Sequence, residues 1–402
     1  MPRIILITKG TAGDIEPFIE LASVLRRRGN DVLLITHCHY EADCFRAGIP
    51  FVALDRLEQF AMFVNDGHLL DTPAGIVTFG DRNIFPQIAA EFFLLERYCR
   101  KPETIVIARH MASLAASFVC ERYSIPIITL FTCVAQANCF QLWIETCRSV
   151  LAERINSCRM RLDFQPIYDW DKWARNSSMF VACWPEWFAQ SSSTWPVDTQ
   201  HLGFLYSHVL AEELPPDTER LLENETRPIL ITGGTSIWKL ATSFYEVAAT
   251  ACSISQRPGI LVCPHDRLVE KLLPVGISRF ASLPFSTVMP RTVAVIHHGG
   301  SGTMIRAMAS AVPQIILPFG ADRQDNAIRI EELGLGIRIL SPSWEALHIA
   351  EILCRIIDND PFRVSLDRIQ SRMSQAADLE RTCMLIEKLS ATQKSNAILS
   401  HY

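Results

Sequence analysis

Short runs of continuous Ile, Val and Leu alternate along this chain with longer stretches that are apolar on one side only. Ile4–Thr8, Val32–Thr36, Phe51–Leu54, Ile105–Ala108 and Ile127–Leu130 are runs of the first kind. They predict parallel strands covered by helices on both faces, because a strand with one wet face would alternate apolar and polar residues. Between the first two runs, Pro17–Arg28 sets Phe18, Leu21, Ala22 and Leu25 on one helix face and ends in three arginines before Gly29. That is a helix with its C-terminal stop. Ala112–Tyr123 predicts another helix, and Gln136–Asp171 is largely helical and amphipathic. This β-α-β-α-β order opens a doubly wound sheet with right-handed crossovers.

The polar stretch Pro215–Pro228 then reads as an interdomain linker. A second series follows: strand Ile229–Thr232, the Gly233-Gly234 turn, a helix around Lys239–Ala251 and strand Ile260–Cys263. Val293–Phe319, VAVIHHGGSGTMIRAMASAVPQIILPF, continues it as strand, glycine turn, helix, a stop at Pro313, and strand. Strand Ile337–Leu340 and helices Trp344–Asp358 and Pro361–Leu389 complete it. The pattern predicts an α/β protein of two Rossmann-like doubly wound domains, 1–214 and 229–389, joined by 215–228 and followed by a polar tail, 390–402. Two such domains facing each other would place the glycine turns on a shared cleft.

A chain of 402 residues is long enough for two such cores. Its net charge of −5 creates no field that would gather nucleic acid, so an anionic ligand must be held by local groups. The thirteen cysteines are scattered without a C-x-x-C pair, which fits reduced thiols and gives no zinc spacing. The N-terminus lacks a signal-peptide core, and no run of about 18 apolar residues predicts a membrane span. Cytoplasm is the expected location, with peripheral membrane contact left open.

Three places carry candidate chemistry. Gly299, Gly300 and Gly302 lie at a helix mouth, where unpaired N–H groups and roughly half a positive charge favour phosphate. His298 stands beside them as a donor, while His297 reads as structural. A tight turn without any ligand is the alternative. Asp14 follows the first glycine turn, either as a helix N-cap accepting from the Glu16 N–H or as a general base. Asp322 and Arg323 follow strand IILPF, either starting a solvated helix or meeting hydroxyls.

The segments Val295–Thr303 (VIHHGGSGT), Ala309–Asp322 (ASAVPQIILPFGAD) and Asn326–Arg329 (NAIR) resemble the donor-binding signature of GT-B glycosyltransferases of family 1. Gly10–Ala22 (GTAGDIEPFIELA) is similar to the acceptor-side motif of the bacterial and sterol-glycosyltransferase branch. WPEWF (Trp184–Phe188), TWP (Thr194–Pro196) and LGF (Leu202–Phe204) look most like the rhamnosyltransferase chains of rhamnolipid synthesis and their relatives. The matches lie in both halves and in the right order.

The resemblance implies the GT-B fold, a UDP- or dTDP-sugar held by the C-terminal domain, and a small hydrophobic or aromatic acceptor held by the N-terminal one. It implies phosphate contacts from His298, Gly300, Gly302 and Thr303, with Gly234 and Thr235 nearby. Leu283, Pro284 and Phe285 match the segment whose backbone meets the base, and Asp322 binds sugar hydroxyls. Asp14 becomes the catalytic base of an inverting transfer without a metal or other cofactor, and no D-x-D motif sits at a strand end. Arg323 stands where relatives carry Gln, and Ser282 where many carry Trp, so sugar and nucleotide are not chosen. Phe85, Trp143 and Trp187 fall where the family builds its acceptor pocket, although tryptophans there are more often core. A nucleotide-sugar 2-epimerase and a non-catalytic nucleotide-sugar-binding activator remain alternatives.

Overall fold

The computed structural model describes residues 3–99, 104–206, 213–223, 225–235, 242–269, 272–358, 360–374 and 379–388. The chain divides into two compact units, residues 3–205 with 379–388, and residues 206–374.

The first unit is built on strands β1 (Arg3–Ile7), β2 (Asp31–Thr36), β3 (Phe51–Ala53), β4 (Thr104–Arg109), β5 (Ile127–Phe131), β6 (Met179–Ala182) and β7 (Gln200–His201). Their order across the sheet is β3-β2-β1-β4-β5-β6-β7, and every pairing is parallel. Ile4 and Leu6 pack with Phe18, Leu21 and Leu25 of the first helix, while Ile5 and Ile7 are buried on the other face. Continuous apolar runs are what a sheet covered on both sides requires.

The first helix runs from Ala12 to Arg27, starting five residues before the expected Pro17. Thr11 is the extended N-cap residue and Ala12, Gly13 and Asp14 fill the first turn. An acid in that turn suits the positive end of the helix. Pro17 sits in the second turn, where its missing N–H forfeits one bond. Residues from Phe140 to Arg161 are helical throughout, with a π-helical stretch at Cys147–Leu151 between Phe140–Thr146 and Ala152–Arg161.

The second unit carries β8 (Ile229–Thr232), β9 (Gly259–Val262), β10 (Ile277–Phe280), β11 (Ala294–His297), β12 (Gln314–Ile316) and β13 (Gly336–Arg338). The order β10-β9-β8-β11-β12-β13 is again wholly parallel. Ile229, Ile231, Ala294 and Ile296 enter one core, and Leu230 and Val295 enter the core on the opposite face. Alternate strand residues point to opposite faces, so both are closed.

Two expectations about boundaries change. Pro215–Pro228 is not a free linker: Pro216–Leu222 is a helix, Leu222 is buried, and Leu214, Leu221 and Leu222 pack with Leu230 and Ile260. The apolar pair in TERLLE gives that helix a face to bury, which outweighs its polar setting. At the other end, residues 379–388 return to the first unit, where Cys383 and Ile386 join the core of Ile4 and Phe18. Spacing of Leu379, Cys383 and Ile386 puts all three on one helix face, and Arg28 pairs with Glu380 and Glu387 alongside. The expected helix around Lys239–Ala251 is seen as Thr242–Ile254. Its first residues, Asn224 of the expected linker and the tail 390–402 lie outside the described residues. No described helix is long and apolar enough to cross a membrane.

Candidate active site

In an open parallel sheet a ligand crevice forms where the strand order reverses, at the carboxyl ends of the two strands beside the reversal. That point lies between β1 and β4 in the first sheet and between β8 and β11 in the second. Asp14 lies seven residues beyond the end of β1, and Arg109 is the last residue of β4. Gly233, Gly234 and Thr235 follow β8, and His298, Gly299 and Gly300 follow β11.

At the first reversal Arg109 reaches across to Asp14, Nη1 to Oδ1, at 3.4 Å. Asp14 is not the N-cap: its Oδ2 accepts the Thr11 N–H at 3.1 Å from the third helical position. The carboxylate folds back over Gly10, where an added Cβ would lie 2.1 Å from Oδ2. The Asp14 side chain is 30% exposed. Arg109 also donates to the Lys9 carbonyl.

Beside this pair, Lys9 and Glu91 form a buried ion pair, and Ser113 Oγ donates to Glu91 Oε2 at 3.2 Å. Losing either partner would leave a buried charge alone, at a cost of about 3–5 kcal/mol. These groups border a cavity of about 700 Å³ within the first unit, whose walls include Phe85, Trp143, Trp173 and Phe180. The π-helical stretches Gly80–Ile84 and Cys147–Leu151 both contribute to it; such irregular turns concentrate at functional sites. Phe85 and Trp143 both line this cavity. Trp187 does not line it and packs instead on Phe188 and Phe204, which those neighbouring rings in the sequence favour. His110 is buried among Phe131, Phe140 and Trp143, and burial lowers its pKa to about 3.

At the second reversal the two adjacent histidines separate in role. His297 is fully buried; its Nδ1 accepts the Gly299 N–H at 3.2 Å and its Nε2 faces Gln314 Oε1 at 3.0 Å. Accepting at one nitrogen and donating at the other defines a neutral ring, and burial brings its pKa down to about 4. His297 is therefore the structural member, holding the turn to β12. His298 lies against both glycine turns: a Cβ on Gly234 would be 2.6 Å from its Cε1, and one on Gly300 2.4 Å from its Nε2. Burial, then Arg323 and His297, hold it well below the usual histidine range, against an opposing backbone hydrogen bond at Thr232. An uncharged imidazole wedged against a helix mouth can donate to an anion without carrying charge itself.

Helix Ser301–Ala309 has Gly300 as its N-cap, so Gly302 and Thr303 occupy its first turn. Asn326, which the sequence reading did not single out, braces this turn by donating to Gly299 O at 2.9 Å and Ser301 Oγ at 3.2 Å. The Gly233 N–H donates to the Tyr245 hydroxyl at 3.1 Å, and exposed Thr235 accepts from His265 through its carbonyl at 3.2 Å. Leu283 is buried in a core and Phe285 packs partly against the same core. Asp322 is the second residue of helix Ala321–Glu332, after the N-cap Gly320. Arg323 is buried; its Nη1 donates to Phe319 O at 3.0 Å, and its guanidinium lies 4.4 Å from the centre of the Phe319 ring. Among the described residues no three His, Cys, Asp or Glu side chains form a group able to hold a metal ion.

Comparison with known proteins agrees with this layout. The glycosyltransferase family 28 N-terminal domain matches residues 4–140, and the erythromycin biosynthesis protein CIII-like C-terminal domain matches residues 260–382. The sterol 3-beta-glucosyltransferase of Pichia angusta is 21% identical over 86% of this chain and 30% of its own length. The O-mycaminosyltylonolide 6-deoxyallosyltransferase of Streptomyces fradiae is 29% identical over 50% of this chain and 47% of its own. The chain therefore spans less than half the length of either relative. Spinosyn forosaminyltransferase SpnP superposes with a TM-score of 0.74 at 18% identity, covering 97% of this chain and 99% of that one. The glycosyltransferase VinC in complex with dTDP gives 0.70 at 16% identity, covering 97% and 100%. The fold is GT-B. In sequence the chain resembles glycosyltransferases, and it shares their fold.

Proposed function

We propose that this protein is an inverting glycosyltransferase that moves a hexose or deoxyhexose from a UDP- or dTDP-sugar to a hydroxyl of an apolar acceptor. The observation that carries the reading is the division of chemistry between the two reversal points: a carboxylate held by an arginine at one, an anion cradle at the other. In the proposed reaction Asp14 takes the proton of the acceptor hydroxyl, and its oxygen attacks the anomeric carbon from the face opposite the phosphate. The bond from that carbon to the diphosphate oxygen breaks, and the electron pair leaves with the diphosphate. The Gly300–Thr303 helix mouth and neutral His298 meet the departing charge. A general base in this role contributes on the order of 10²–10⁴ in rate. Arg109 keeps the Asp14 carboxylate turned toward the acceptor. The complex of VinC with dTDP supports a pyrimidine nucleotide as the carrier.

The cavity beside Asp14 favours a transferase over a 2-epimerase of the same fold, since an epimerase has no second substrate to house. A panel of UDP- and dTDP-sugars in a thermal-shift assay tests the donor, because a ligand bound only by the folded state raises its melting temperature. The reading expects a shift with at least one sugar nucleotide, and product only when an acceptor hydroxyl is added. Sugar interconversion without an acceptor would instead indicate an epimerase.

A further inference from the structure

The cavity of the first unit is a slot with two unlike ends. Along one wall, Leu114, Ser117 and Cys120 of helix Leu114–Tyr123 face it, continued by Ser124. Ten residues at about 1.5 Å each make a run of about 15 Å. Another wall is the helical stretch from Phe140 to Arg161, which turns Trp143, Cys147, Leu151 and Ile155 toward the cavity at intervals of four. The two helices run the same way. At one end the rings of His110 and Trp143 lie 4.8 Å apart, and at the other Arg159 grips Glu121 at 2.7 and 2.8 Å. Between them, Ile127 and Thr129 of β5 and Phe180 of β6 supply the side toward the sheet.

The ends differ in chemistry. At the carboxyl edge of the sheet the slot meets Lys9, Glu91, Arg109, His110 and Ser113, a charged and polar collar adjoining Asp14. At the amino edge it meets Ser124, Pro126, Ser177 and Ser178, and the one charge there, Glu121, is already matched by Arg159. A molecule that fills such a slot turns its polar group to the collar and lays its apolar body along the helices.

We infer that the acceptor is elongated, with the reacting hydroxyl at one end and an apolar body of about 15 Å behind it lying along helix Leu114–Tyr123. This rests on the proposed transfer reaction for the role of the hydroxyl; the slot itself does not. A zigzag of C–C bonds of about 1.5 Å advances about 1.25 Å per methylene, so the slot matches about twelve carbons. Each buried methylene is worth about a fourfold gain in affinity.

The test measures binding of straight-chain 1-alkanols, from hexanol to tetradecanol, by quenching of tryptophan fluorescence with no sugar donor present. The dissociation constant should fall about two- to fourfold per added methylene and level off near about twelve carbons. Cys120→Phe and Leu151→Phe, from different walls, should move the levelling point to shorter chains, while hexanol, about 7.5 Å long, still binds. Far-UV circular dichroism confirms that each variant is folded, and either one suffices if the other is not. An affinity flat beyond hexanol, or folded variants that keep the wild-type length dependence, would overturn the inference. Chain-length dependence with no transfer to dodecanol from any sugar nucleotide would uphold the slot and remove the transferase reading alone.

Discussion

Gly300 leaves His298 the space its imidazole occupies: a Cβ on the glycine would stand 2.4 Å from His298 Nε2. The backbone at Gly300 has φ −66° and ψ 139°, which alanine adopts freely, so the clash with the ring is the only obstacle. Gly300→Ala should weaken nucleoside diphosphate binding about tenfold or more, the scale of one lost charge-assisted hydrogen bond. In a His298→Ala background the same change should add little, because the ring it displaces is gone. His298→Ala alone should weaken UDP or dTDP more than uridine or thymidine. Calorimetry on the cycle checks both, and equal weakening of nucleoside and diphosphate would separate His298 from the phosphates.

Buried neutral histidines make stability depend on pH. Burial lowers His297 to about 4 and His110 to about 3, and keeps His298 well below the usual range. In the unfolded chain each titrates near about 6.5. Below that pH the unfolded state binds more protons than the folded one, so stability is full above about 6.5 and falls as the pH drops toward 4. The slope is about 1.4 kcal/mol per pH unit for each histidine. The second unit holds two of the three, and His298→Ala should remove one proton from its unfolding linkage. Denaturant unfolding from pH 7 to 5 in both proteins measures this.

Arg323 occupies the position where a sugar-reading glutamine was expected, yet its guanidinium is engaged with the Phe319 carbonyl and ring. Arg323→Gln should therefore lower the stability of the second unit by about 1–3 kcal/mol, from the lost hydrogen bond and cation–π contact. The ranking of donor sugars should change less than the melting temperature. A changed ranking at unchanged stability would return Arg323 to the sugar site.

The architecture was legible because both sheets are fully covered. Runs such as Ile4–Ile7 and Ile229–Thr232 needed no tertiary information to read as strands. The glycine turn and the structural part of His297 were also readable, since His297 is the last residue of its strand. Less legible were features made by contacts distant in sequence. Arg109 meets Asp14, and Lys9 meets Glu91, across intervals that no local pattern spans. One signal was present: Glu91 shares a helix face with Ile88, Phe92, Leu95 and Cys99, all buried, and an acid on such a stripe demands a partner. Asp14 as N-cap failed because Pro17 drew the expected helix start forward, whereas Thr11 caps it. The last helix was assigned to the wrong unit because an amphipathic face reports that it packs, not against what.

The most direct measurement is turnover of Asp14→Asn with a competent acceptor, beside its affinity for the sugar nucleotide. Asparagine keeps the size and the hydrogen bond from the Thr11 N–H but cannot take a proton. If Asp14 is the base, kcat should fall about 10²-fold or more while nucleotide affinity stays within about twofold. Near-normal turnover in the folded variant would make Asp14 a brace for its helix and contradict the account.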